Sequence, residues 1–286
     1  MSGIGQINTM SSHKTYIAEI PVESATGEVA RIYAEIRRLT GGPLVALFYR
    51  HLAALPGALE AVWQSVSPLL ETGELQEGAW SLSRGAWTGP VPDGALQGMD
   101  RTALAHAGGV VDAYNRANPV NFALMLVVRA TGRAQPAASA ASVARGAWTP
   151  PTPLPGIASI PRMDTLDART RLLVDAFGKS GAPGEPVLVP TLYRHIAHWP
   201  ALLDRVSRLV LPRLADGTFV PAIHAFRDGI ARLADDLVAR CAPARHPLLD
   251  TPDVNEVFER FAPVIPEMVV VGHFLRTVLD RAPGLK

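Results

Sequence analysis

The chain has 286 residues, 48% of them hydrophobic, enough to bury a full core as two domains or one large one. Its net charge is +1, and its 27 lysines and arginines are scattered rather than gathered into a stripe, which speaks against nucleic acid as a partner. A lone cysteine, Cys241, excludes an internal disulfide, a two-cysteine redox centre and a cysteine-based zinc site.

Taken from the start, residues 1–16 are polar and unpatterned and read as a loose arm. They lack the basic start and apolar centre of an export signal. The expected location is therefore the cytoplasm, where a single reduced thiol is at home. Apolar runs such as Phe122–Val128 fall well short of the ~18 residues of a membrane span, so no membrane association is expected.

From residue 17 the pattern becomes helical. Val29, Ile32, Tyr33 and Ile36 recur at helical spacing up to the stop at Gly41-Gly42-Pro43. Helices are expected over 44–55 and, after Pro56, over 57–70; two more come over 74–87 and 102–115. Asn118-Pro119 reads as a cap and first-turn proline opening a separate helix to about Thr131. No stretch shows the two-residue alternation of a half-buried strand.

Residues 133–161 are dominated by alanine, serine and proline and read as a linker. Beyond it the helical plan returns, over 166–178, 188–198, 201–214, 220–242, 252–261 and 263–281.

The return is more than a likeness of pattern. Pro43–Pro56 reads PLVALFYRHLAALP and Val187–Pro200 reads VLVPTLYRHIAHWP, so Tyr49-Arg50-His51 matches Tyr193-Arg194-His195 at an offset of 144. The same offset pairs Gly73 with Gly217, Tyr114 with Phe258, Arg116 with Arg260, Pro119 with Pro263 and Val127 with Val271. A shared offset over such a length marks an internal duplication. The expected architecture is all-α: tandem helical repeats, 17–132 and 162–286, packed as a pseudo-dimer with a pocket between them.

This two-repeat helical plan, with YRH-x-A-x-x-P in each copy and Asn-Pro late in the first, resembles the group I D,L-2-haloacid dehalogenases. The resemblance implies a cofactor-free and metal-free hydrolysis of 2-halo carboxylic acids, in which a buried aspartate deprotonates a water that displaces the halide. It places the family's water-holding asparagine on Asn118 and the serine before the catalytic aspartate on Thr191. The aspartate itself falls on Leu192. The family's tyrosine falls on Phe258, and its tryptophan and phenylalanine on Leu44 and Leu47.

Leucine cannot take a proton from water, so the family reaction needs another base. His195 lies one turn from Leu192 on the same helical face, with Trp199 a turn further; His51 and Phe48 hold equivalent places in the first copy. Imidazole titrates near neutrality and can serve as general acid or base. Histidines matched in both copies also suit a structural role, as hydrogen-bonders at helix crossings. Arg50 and Arg194 can fork a carboxylate or form interhelix ion pairs, and Tyr114 and Asn115 are candidates for ligand contact.

Glu267 and His273, six residues apart, fall on different faces of one helix and suggest no metal site. No phosphate loop or nucleophile elbow is present, so no nucleotide or other cofactor is expected. The leading reading is a small-molecule enzyme on a dehalogenase-like scaffold, with haloacid hydrolysis as the activity the resemblance implies. The alternatives are an enzyme working through His195 on a small organic or hydrophobic metabolite, and a small-ligand-binding protein without chemistry. The expected partner is a small molecule, with further copies of the chain as the macromolecular partner the composition allows.

Overall fold

The computed structural model describes residues 15–133, 148–179, 185–241 and 243–282. The order of helices is α1 Gly27–Thr40, α2 Leu47–Leu52, α3 Ala58–Leu70, α4 Glu74–Ser83, α5 Arg101–Arg133, α6 Ala168–Asp175, α7 Thr191–Ile196, α8 Pro200–Ala215, α9 Val220–Cys241, α10 Pro252–Phe261 and α11 Val264–Asp280. Among the described residues no strand forms; the extended pairings are isolated bridges, Tyr16 with Val187 and Lys179 with Leu188. The chain is all-α.

Each helix follows its apolar stripe. In α1, Ile32, Tyr33, Ile36 and Leu39 are buried at one-turn intervals, and Gly41 ends the helix at φ 62°. Any larger residue at Gly41 would meet the Pro151 carbonyl at 2.8 Å, so glycine is needed for close approach as well as for the turn.

Two expected helices are shorter than their apolar runs. Ala46 is extended at ψ 153°, so α2 starts at Leu47 rather than Leu44. Leu188 exchanges two backbone hydrogen bonds with Lys179, at 2.8 and 2.9 Å, and Pro190 comes next but one, so α7 starts at Thr191 rather than Leu188. Adding 144 to both bounds of α2 gives both bounds of α7.

The largest departure is α5. The expected break at Asn118-Pro119 is absent, and one helix of 33 residues runs through the proline. A proline inside a helix costs about 3 kcal/mol, chiefly by removing one N–H and crowding the carbonyl four residues back. Here α5 is buried against α4, α9 and α11, and Val110, Val111, Ala113, Val120, Ala123 and Leu124 are each at most 1% exposed. At roughly 2 kcal/mol for each large apolar side chain buried, that packing outweighs the proline. The matching Pro263 stands at a real break, between α10 and α11.

The stretch Pro252–Asp280 is long and apolar enough, by composition, to cross a membrane, with mean hydropathy 1.3. Two thirds of its most apolar window (67%) is buried inside the molecule, and α11 packs along α5 and α9 as the central seam of the core. The expectation from Phe122–Val128 overlooked this longer run because Pro263 divides it.

Residues 1–14 and 134–147 of the expected arm and linker lie outside the described residues. The segments next to them, from Thr15 and from Trp148 onward, are backbone tied to the bundle. Thr15 accepts from Val187 N–H at 2.7 Å, Tyr16 Oη donates to Asp175 at 3.0 Å, and Leu154 N–H donates to the Gly41 carbonyl at 2.8 Å. Trp148 donates Nε1–H to Glu77 and covers Gly73, where an added Cβ would lie 2.3 Å from the indole.

Two short straps have nearly the same sequence: Ile17-Ala18-Glu19-Ile20-Pro21 and Ile157-Ala158-Ser159-Ile160-Pro161. The first runs past α2, where Ile20 N–H donates to the Arg50 carbonyl at 2.9 Å. The second runs past α7. Residues 157–161, within the stretch read from sequence as linker, thus resemble 17–21 at a displacement of 140 rather than 144 residues.

Candidate functional site

A cavity of about 40 Å³ lies where α2, α5, α7 and α11 meet. Helix α5 supplies Tyr114, Asn118 and Asn121, at i, i+4 and i+7 on one face. Leu47 and Phe48 come from the start of α2, Thr191 and Leu192 from the start of α7. Val264, Ile265 and Met268 of α11 complete the apolar wall with Phe261. The lining therefore draws on residues both before and after 133.

The polar wall is a chain of hydrogen bonds. The Thr191 hydroxyl at its cavity end counters part of the rise that burial gives the Tyr114 pKa. The Tyr114 Oη lies 3.0 Å from His195 Nδ1, and His195 Nε2 lies 2.6 Å from the Ala158 carbonyl oxygen. A carbonyl only accepts, so Nε2 carries the proton, Nδ1 is the acceptor, and the tyrosine hydroxyl donates to it. Burial holds the Tyr114 hydroxyl up at about 12 and, against the Ala158 bond, the His195 imidazole down to about 4. Near neutral pH both are uncharged.

Asn118 and Asn121 face the cavity from the middle of α5, so capping accounts for neither. Asn121 is 2% exposed, and its Nδ2 has no hydrogen-bond partner in the protein. Leaving a buried amide donor unpaired costs about 1–3 kcal/mol, and nothing in a helix interior requires it.

Of the residues the sequence pointed to, Leu47, Phe48, Tyr114, Asn118, Thr191 and Leu192 line the cavity. His195 does not; it stands behind Tyr114, with both nitrogens engaged. Phe258 also stands one layer back, stacked on Phe48 with centroids 5.9 Å apart, and Leu44 is buried in the general core. His51 is turned away, its Nδ1 bonded to the Ala18 carbonyl at 2.6 Å. Asn115 sits on another face of α5 and donates to the Gly272 carbonyl at 3.2 Å. Trp199 stacks on His106 at 6.2 Å, away from the cavity.

These five, with His195, lie outside the cavity for a common reason. Helical spacing gives the face of a residue but not its depth, and matched motifs identify equivalent places whether they face a pocket or a strap. Asn121 was missed, although its spacing of seven from Tyr114 and three from Asn118 was readable.

Arg50 and Arg194 share one carboxylate. Arg50 Nε lies 2.8 Å from Glu19 Oε2 and Arg194 Nη1 lies 3.2 Å from Glu19 Oε1; Arg194 also donates to the Pro161 carbonyl at 3.2 Å. Neither arginine lines the cavity.

A larger groove of about 570 Å³ shares Leu188 and Val264 with the cavity as walls. Its charges are already paired, Lys179 with Glu267 at 3.0 Å and Arg260 with Glu256 at 2.8 Å. No group of three or more histidine, cysteine, aspartate or glutamate side chains able to hold a metal occurs among the described residues. Glu267 pairs with Lys179, and His273 is driven below the usual imidazole range by burial.

No family model and no curated protein matches the chain by sequence. Solved structures do. A D-2-haloacid dehalogenase mutant is similar at 15% identity and TM-score 0.62, over 93% of this chain and 95% of that one. A mutant of that enzyme in complex with D-2-CPA and the enzyme in complex with L-LA are similar at 16% identity and the same TM-score, over 93% of this chain and 95% and 96% of theirs. The likeness is one of fold: the chain has a dehalogenase-like all-helical scaffold.

Proposed function

We propose that this protein binds a small molecule on a dehalogenase-like scaffold and does not hydrolyse 2-haloacids. The observation that carries this reading is the chemistry of the cavity wall. Its polar members are Tyr114, Asn118, Asn121 and Thr191, all neutral near pH 7, and Leu192 stands beside Thr191 with nothing to offer a proton. Displacement of halide by water needs a base within about 3 Å of that water. The imidazole behind this wall, His195, has its lone pair taken by Tyr114 and its proton given to Ala158.

On the scale in which one water needs about 10–15 Å³, a cavity of about 40 Å³ admits a few waters or a small polar head group. The remainder of a longer ligand would lie toward the groove beyond Leu188 and Val264. No metal or cofactor enters the reading, and the internal duplication supplies a wall from each copy.

The test is halide release from D- and L-2-chloropropionate, run beside a thermal-shift screen of small ligands. The expected result is no release above the uncatalysed background, with ligands that raise the melting temperature recovered unchanged after long incubation. Catalytic release of chloride, abolished by Asn118→Ala, would sink the proposal and restore a water site.

A further inference from the structure

We infer that the group bound in the cavity is an uncharged amide or similar carbonyl, held through Asn121, and not a carboxylate. The inference rests on the binding reading and specifies its ligand class.

Asn121 is an unpartnered polar group of this wall. It is 2% exposed, it lines the cavity, and its Nδ2 has no acceptor in the protein. A ligand carbonyl oxygen set against it would supply the missing bond.

The opposite wall wants a donor. Tyr114 gives its hydroxyl proton to His195, a direction fixed by the Ala158 carbonyl behind the imidazole. Tyr114, which lines the cavity, therefore has only lone pairs left to offer there. Those lone pairs attract an N–H and repel a carboxylate oxygen.

Charge points the same way. No lysine, arginine or histidine lines the cavity, and the two arginines of the YRH motifs, Arg50 and Arg194, are both turned to Glu19. A buried carboxylate without a direct cation or a full set of donors is strongly disfavoured, whereas a primary amide offers the acceptor for Asn121 and donors for Tyr114.

The experiment uses the full chain with acetamide and acetate as probes, monitored by side-chain amide resonances in ¹H–¹⁵N spectra, with Asn121 assigned through its variants. Acetamide is expected to shift the Asn121 NH₂ signals saturably, with acetate at least about tenfold weaker, the factor of one neutral hydrogen bond. Asn121→Asp, which keeps the shape and removes the donor, and Asn121→Leu should each weaken acetamide by a similar factor. Acetate binding as well as acetamide, or acetamide binding untouched by either variant, would overturn this inference while leaving a binding cavity. If neither probe perturbs any cavity residue at high concentration, the inference and the binding reading fall together. The wild-type titration stands even if a variant does not fold.

Discussion

The His195 imidazole and the Ala158 carbonyl meet at 2.6 Å, and this bond decides what the histidine is. His51 and Ala18 form its counterpart at 2.6 Å, through Nδ1 instead of Nε2. In each half, one histidine of the YRH motif fastens a short helix to a strap. With both of its nitrogens engaged, His195 orients Tyr114 and has no ring nitrogen left for a ligand.

Stability should fall on acidification through these histidines. The folded His195 titrates at about 4, against 6.5 for the free imidazole. A depressed histidine pKa means the unfolded chain binds the proton first, so the full contribution is present above 6.5 and is lost as pH falls from 6.5 toward 4. Between about pH 7 and about pH 5 the loss for His195 alone is about 2 kcal/mol. Burial lowers His51 and His273 as well, which adds to the slope. Urea unfolding across this range measures it. His195→Gln, which can keep both bonds but does not titrate, should flatten the profile; an unchanged slope would refute the assignment.

The hydrogen-bond chain also predicts an order of costs. Tyr114→Phe removes the proton donor to His195 Nδ1 and strands a buried lone pair, at about 1–3 kcal/mol. Thr191→Val removes only a hydroxyl at the cavity surface and leaves the Tyr114–His195 bond intact, so it should cost under about 1 kcal/mol. Denaturant midpoints of the two variants check this. The reverse order would mean that the chain runs the other way, with Thr191 as acceptor.

The helical plan was legible because apolar residues keep a 3.6-residue period and because glycine and proline punctuate it. Pro252–Phe261 was read to the residue, and α8, α9 and α11 to within one or two. Pro119 misled, because its local cost is plain in sequence while the packing of α5 against three helices is not. The straps escaped for a different reason. The IAEIP and IASIP segments sit 140 residues apart, so a search held to the 144 register passes over them, and the proline-rich residues around 157–161 resemble a linker. Cavity depth was the least legible: Leu192 and His195 share a face of α7, and Trp199 was read onto it although the helix ends at Ile196, yet only Leu192 reaches the cavity.

Glu19 should be the most sensitive residue of either strap. It stands alone between Arg50 and Arg194, whose side chains are 6% and 14% exposed, and its equivalent in the second strap is Ser159. Glu19→Gln leaves two buried guanidiniums facing each other with no anion, which should cost on the order of 3 kcal/mol. Adding Arg194→Met should recover part of that loss by removing one of the two charges. A Glu19→Gln variant within about 0.5 kcal/mol of the parent would show that solvent already screens the cluster.

The seam between α5 and α11 depends on a missing side chain. Gly272 lets Asn115 lie flat on α11: a Cβ there would stand 2.1 Å from Asn115 Oδ1, and Asn115 Nδ2 donates to the Gly272 carbonyl at 3.2 Å. Gly272→Ala gains about 1 kcal/mol of helix propensity but must expel the amide, breaking that bond and forcing the helices apart. The net effect should be a loss of about 2 kcal/mol, the range found for overpacked cores. Asn115→Ala alone should cost about 1 kcal/mol for its hydrogen bond. Combined, the two substitutions should be less harmful than their sum, because the second removes the atom with which the first collides. Strict additivity in unfolding measurements would show that Asn115 moves aside freely and that Gly272 is not what sets the spacing of the two central helices.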